Sequence, residues 1–229
     1  MRSNKYLLCL SLVAAFVFVF IQAQPSKAQI RGLPKLYEEF KMPETGTYVT
    51  YKVTYAKNNV ERMITLSFLG KEKSEKEEDL YWFEQKEADP KTGNVSIMKM
   101  LMSGNPQKPG TIHRMIVKSG KEKASELSQA IVQMINQTPA QKTEAEKPKI
   151  KNLGTEKMKL KDEALTCVHF QYISKDKTTE DVWTNDKMPF FSLAKSITPE
   201  ATWELSEYGT GAVSAIKEKP EVLEIPEQK

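Results

Sequence analysis

Two cysteines and two histidines are all the chain holds of the residues that most often build metal cages and disulfide frameworks. Four such side chains in 229 residues leave little from which to assemble a zinc site of three or four ligands. His113 with Cys167 and His169 is the only Cys-His-His set to be drawn, and nothing but supply recommends it. Cys9 lies in the N-terminal apolar run, so Cys167 stands alone downstream and cannot form an internal disulfide. Catalytic and phosphate-binding signatures are missing as well: there is no GxSxG, no HExxH, no Walker loop and no GxGxxG. No apolar run reaches the roughly 20 residues that a spanning helix needs, which excludes a multi-span membrane protein. What is present is ordinary for a globular chain, 39% hydrophobic and 28% charged, of a length for one domain or two small ones.

The N-terminus reads as a targeting segment. Arg2 and Lys5 precede the apolar run Leu7–Ile21, and Ala23 and Ala28 follow as small residues at which a leader is cut. An uncleaved anchor is the alternative reading of the same run. Residues 1–28 carry Arg2, Lys5 and Lys27 and no acid. The 34 basic residues less these three leave 31 against 30 acidic, a net of +1. A charge-driven case for nucleic acid therefore disappears. The expected location is periplasmic or secreted.

Downstream, the pattern is dominated by period-two alternation. Leu33, Leu36, Tyr37 and Phe40 first mark a short amphipathic helix, closed before Pro43. Strand patterns then follow at 46–55, 60–69, 80–88, 95–102 and 111–118, separated by turn residues such as Asn58-Asn59 and Asp89-Pro90, and predict an antiparallel meander. Ser125 is placed to cap a helix with Leu127, Ala130, Ile131, Met134 and Ile135 on one face. A second β block covers 150–160, 164–173 and 179–184. A short helix is expected over Phe190–Ile197, a last strand over Ala201–Tyr208, and a brief pairing at 212–216. The predicted class is α+β, a strongly curved antiparallel sheet forming an incomplete barrel with a few helices packed on one side. The predicted organisation is a signal segment at 1–28, a single β-rich domain at 29–216 with a polar loop at 137–149, and a loose tail at 217–229.

Few residues carry chemistry. Cys167 and His169, two apart in a strand, share a face and could meet as nucleophile and base, but a shielded structural thiol is the preferred reading. Met98, Met100 and Met102 share a strand face, with Met115 on a neighbour. With Trp82, Phe83, Phe170 and Trp183 they form the candidate lining of an apolar cavity, since unbranched thioethers accommodate ligands of varied shape. A plain core is the competing reading. No catalytic residue, metal or cofactor is predicted.

The layout resembles the periplasmic lipoprotein-carrier superfamily, whose members have a signal peptide and a curved antiparallel sheet with helices as a lid over an apolar cavity. The C-terminal stretch is also similar to that of secreted bacterial proteins. The shared pieces are Cys167–Phe170, Asp181-Val182-Trp183, Met188-Pro189, Trp203-Glu204-Leu205 and Tyr208-Gly209, within a stretch of about 60 residues that the resemblance covers. The polar loop at 137–149 departs from that pattern, and no motif ties the chain to lipoprotein handling. The resemblance implies a non-enzymatic carrier of an apolar small molecule or lipid, such as an acyl chain or a lipoprotein anchor. A structural or interaction domain with an envelope-protein partner is the alternative.

Overall fold

The computed structural model describes residues 42–103, 112–137, 148–160 and 163–223. The signal segment and the helix expected at 33–40 lie outside them, as does most of the polar loop. The described chain runs through β1 (Tyr48–Tyr55), β2 (Val60–Lys73), β3 (Asp79–Ala88), β4 (Val95–Ser103), β5 (Ile112–Ser119) and β6 (Ser125–Leu127) to helix α1 (Gln129–Gln137). Then come β7 (Lys149–Leu160), β8 (Glu163–Ile173), β9 (Thr179–Thr184), β10 (Leu193–Ile197), β11 (Ala201–Gly209) and β12 (Glu221–Leu223). All twelve strands form one open sheet in the order β12-β6-β5-β4-β3-β2-β1-β11-β10-β9-β8-β7. It consists of two antiparallel meanders, β1–β6 and β7–β11, joined by the pairing of β1 with β11.

This corrects the expected class. The described protein is mostly β, with α1 its one helix, rather than α+β with several helices on one side of an incomplete barrel. The main reason lies at 190–197. Phe190 and Ser192 have φ of 65° and 54°, a left-handed geometry that a right-handed helix cannot contain. Leu193–Ile197 instead pairs with β9 on one side and β11 on the other. Without it, two inner strands would face each other with unpaired backbone groups, so the ladder overrides the local helical spacing.

The strands follow from their alternation. In β1, Val49, Tyr51 and Val53 are buried together with Ile64 of β2 and Ala201 of β11, and Trp203 packs edge-on against Tyr51. Bulges between Thr50 and Tyr51, Phe68 and Gly70, and Asn152 and Gly154 interrupt the ladders and increase their local twist.

The C-terminal segment is a strap across the sheet. Its path begins where Ala212 N–H donates to the Gly46 carbonyl at 2.8 Å. A Cβ on Gly46 would sit 3.1 Å from Gly211 N, and Gly46 has φ +88°, so only glycine suits this crossing. Further on, the buried Glu84 carboxylate accepts from Ser214 Oγ at 2.7 Å and from Ala215 N–H at 2.9 Å. Lys118 pairs with Glu218, and β12 then adds in parallel to β6. Residues 217–223, read from sequence as part of a loose tail, therefore lie on the sheet. Residues 212–216 form no strand and act through these single contacts.

Candidate functional site

Register decides which predicted residues meet. Phe83, Met100 and Met115 lie directly across from one another on β3, β4 and β5, and Met98 and Met102 share their face. Trp82, next to Phe83 in the chain, points to the other face, as strand alternation requires. There its indole N–H donates to Glu72, while Lys99 and Arg114 lie over its ring at 4.6 and 5.3 Å. Arg114 is itself held by both oxygens of Glu126. Trp82 thus belongs to a charged surface cluster and not to a lining with the methionines.

Helix α1 fills the methionine face. Met98, Met100 and Met115 are no more than 4% exposed and pack with Leu127, Val132, Ile131 and Ile135. The helix is anchored through its amides: Asn136 both donates to and accepts from the Ile112 backbone, and Gln129 donates to the His113 carbonyl. Its inward face differs from the predicted one. Residues 125–127 are strand, the helix begins at Gln129, and Met134 is 51% exposed. The expected cavity under this helix is therefore occupied by side chains.

Phe170 and Trp183 lie far along the sheet in the second meander. Phe170 pairs with Val182 on one face; Trp183 pairs with His169 on the other. Trp183 belongs to a separate core cluster with Leu165, Cys167, Met188 and Ala194. In that cluster the second meander curls on itself. Edge strand β7 approaches β11, although β8, β9 and β10 lie between them in the sheet. The curl leaves a recess of about 190 Å³ lined by Met158, Lys159, Leu160, Leu165, Ala194, Glu204 and Leu205. The volume is below the roughly 300–1,000 Å³ of pockets that enclose a drug-sized ligand.

Beside the recess, His169 sits between two carboxylates. Its Nδ1 is 2.8 Å from Glu156 Oε1 on β7, and its Nε2 is 2.9 Å from Asp181 Oδ1 on β9. Trp183 stacks on the imidazole at 4.0 Å and donates its indole N–H to the second Glu156 oxygen. The Trp183 hydrogen bond, then that of His169, holds the Glu156 carboxyl below the usual carboxylate range. Cys167 is fully buried on the same face, and burial, with a lesser push from Glu156, raises its thiol. With both ring nitrogens engaged by carboxylates, His169 has no free nitrogen to serve Cys167 as a base. Among the described residues no group of His, Cys, Asp and Glu is placed to hold a metal ion. Comparison with known proteins found no matching family model, no matching curated protein and no matching solved structure.

Sequence reading missed the recess because its walls come from β7, β8, β10 and β11, and only the fold brings them together. A weak signal existed: Glu156, Met158 and Leu160 alternate with Lys157 and Lys159, which marks one face of β7 as the inner one.

Proposed function

We propose that the protein is an exported, non-enzymatic binding module that takes part of an apolar chain, such as an acyl chain or lipoprotein anchor, into the recess between β7 and β11. The observation that carries this reading is the recess itself, a concavity of mixed lining in which Met158, Leu160, Leu165, Ala194 and Leu205 supply the apolar side chains, beside a packed core. Each ligand methylene removed from water there would contribute roughly 0.8 kcal/mol, which suits a chain end more than a bulky ring system. The basic-then-apolar N-terminus supports export.

A second reading, a structural or interaction domain of the cell envelope with a solid core, is favoured by the sealed methionine face. Native mass spectrometry of protein purified from its own host separates the two. The carrier reading expects a co-purifying apolar adduct, lost on mild organic extraction; a bare polypeptide mass that takes up no added fatty acid would remove it.

A further inference from the structure

Register carries one face of the sheet across most of its width. Met100, Phe83 and Phe68 lie in line on β4, β3 and β2, and Leu66, two residues before Phe68, faces Val49 of β1. Val53 of the same strand faces Trp203 of β11, and the line continues through Ser196 and Val182 to Phe170 of β8. The sheet curls around this face. Phe190, between β9 and β10, reaches the Phe83 ring of β3 at 6.5 Å, although β2, β1 and β11 lie between them in the sheet. On the same face the Phe68 ring lies 5.3 Å from Phe83 and 6.3 Å from Tyr81.

Phe68 and Phe170 are only 3% and 5% exposed, yet neither belongs to one of the described core clusters. Neighbouring strands flank a side chain that stands on a sheet; they do not cover it from above. The chain outside the described residues offers little else to cover it. Residues 104–111, 138–147, 161–162 and 224–229 hold one large apolar side chain between them, Ile225. Residues 33–40 hold four at i, i+3, i+4 and i+7, namely Leu33, Leu36, Tyr37 and Phe40, with Lys35, Glu38 and Glu39 on the other side. Two turns of such a pattern are not stable alone in water and need a surface to bury them. The path of the chain supplies one. Gly46 N–H donates to the Phe68 carbonyl at 2.8 Å, and Phe40 precedes Gly46 by six residues, a reach of about 20 Å.

We propose that Leu33–Phe40 docks in cis on the concave face between Phe68 and Phe170. Burial of its four apolar side chains holds it there, while Lys35, Glu38 and Glu39 remain in water. The face is then closed by the chain itself, and an apolar ligand reaches it only by displacing this segment.

The test places the photo-cross-linker p-benzoyl-L-phenylalanine at Tyr81 in one form of the exported protein and at Phe191, 40% exposed beside Phe190, in another. After irradiation of dilute protein, digestion and mass spectrometry should find a link within one chain, from at least one of the two positions, to a peptide that contains residues 33–40. The yield should fall severalfold when Leu36→Ser and Phe40→Ser are added. Links from both positions only to other segments, links only between two copies, or a yield unchanged in the double variant would overturn the proposal. Trypsin reads the same contact with no cross-linker present. It should cut after Lys35 severalfold more slowly in the natural sequence than in Leu36→Ser/Phe40→Ser, and equal rates would show that the segment does not dock.

Discussion

Methionine at 98, 100 and 115 solves a packing problem. A nine-residue helix laid on a twisted sheet leaves irregular gaps, and an unbranched thioether fills them with little strain. Met100 is 4% exposed and faces Phe83 and Met115 across two ladders. Met100→Trp should therefore overpack the site and cost about 1–3 kcal/mol in chemical denaturation. An unchanged or increased stability would mean that space remains under α1. The adjacent pair Trp82 and Phe83 shows why the aromatics could be named from sequence but not grouped. Alternation puts neighbours on opposite faces, and only the register with β4 and β5 tells which face carries the methionines.

Among the elements, the strap at 212–223 was the least legible in the sequence. It lacks periodicity because it contributes single contacts instead of a repeating face: Ser214 and Ala215 to Glu84, Glu218 to Lys118, and three residues of parallel pairing. Its acid sensitivity follows from those contacts. The Lys118 ammonium draws the Glu218 carboxyl down to about 2. A depressed carboxyl pKa adds stability above the ordinary carboxylate value, and that contribution is lost as pH falls toward the folded-state value. Glu126 of the neighbouring β6, held low by Arg114 of β5, titrates in the same direction. Limited pepsin digestion between about pH 4.5 and pH 2 should release the C-terminal segment before the sheet is cut, with Glu218→Gln releasing it at higher pH. Simultaneous loss of strap and sheet would show that the strap is not a separately titrating element. β10 failed differently: its spacing suited a helix, and only the vacancy between β9 and β11 made it a strand. By contrast β1 to β5, β8 and β9 were legible within a few residues, because half-buried strands write their alternation directly into the sequence.

For the whole molecule, the joint between β1 and β11 does most to set the shape. It closes two local meanders into one sheet through partners more than a hundred residues apart, a pairing that no local pattern encodes. The same joint places β11 where curling β7 can meet it, and so creates the recess. Strand β7 carries exposed Lys149, Lys151, Lys157 and Lys159, divided between its two faces by the bulge at Asn152 and Gly154, charges that discourage another chain from adding to this edge. The central claim is that the space between β7 and β11 receives an apolar chain. Ala194 is 1% exposed and forms part of its wall, so Ala194→Phe should fill the space without touching the methionine core. The most direct measurement is a fluorescence titration of N-phenyl-1-naphthylamine into the natural protein and this variant at pH 5.5. Saturable one-site binding by the first, lost in a variant that melts cooperatively, is the predicted result; no saturable binding, or equal binding by both, would contradict it.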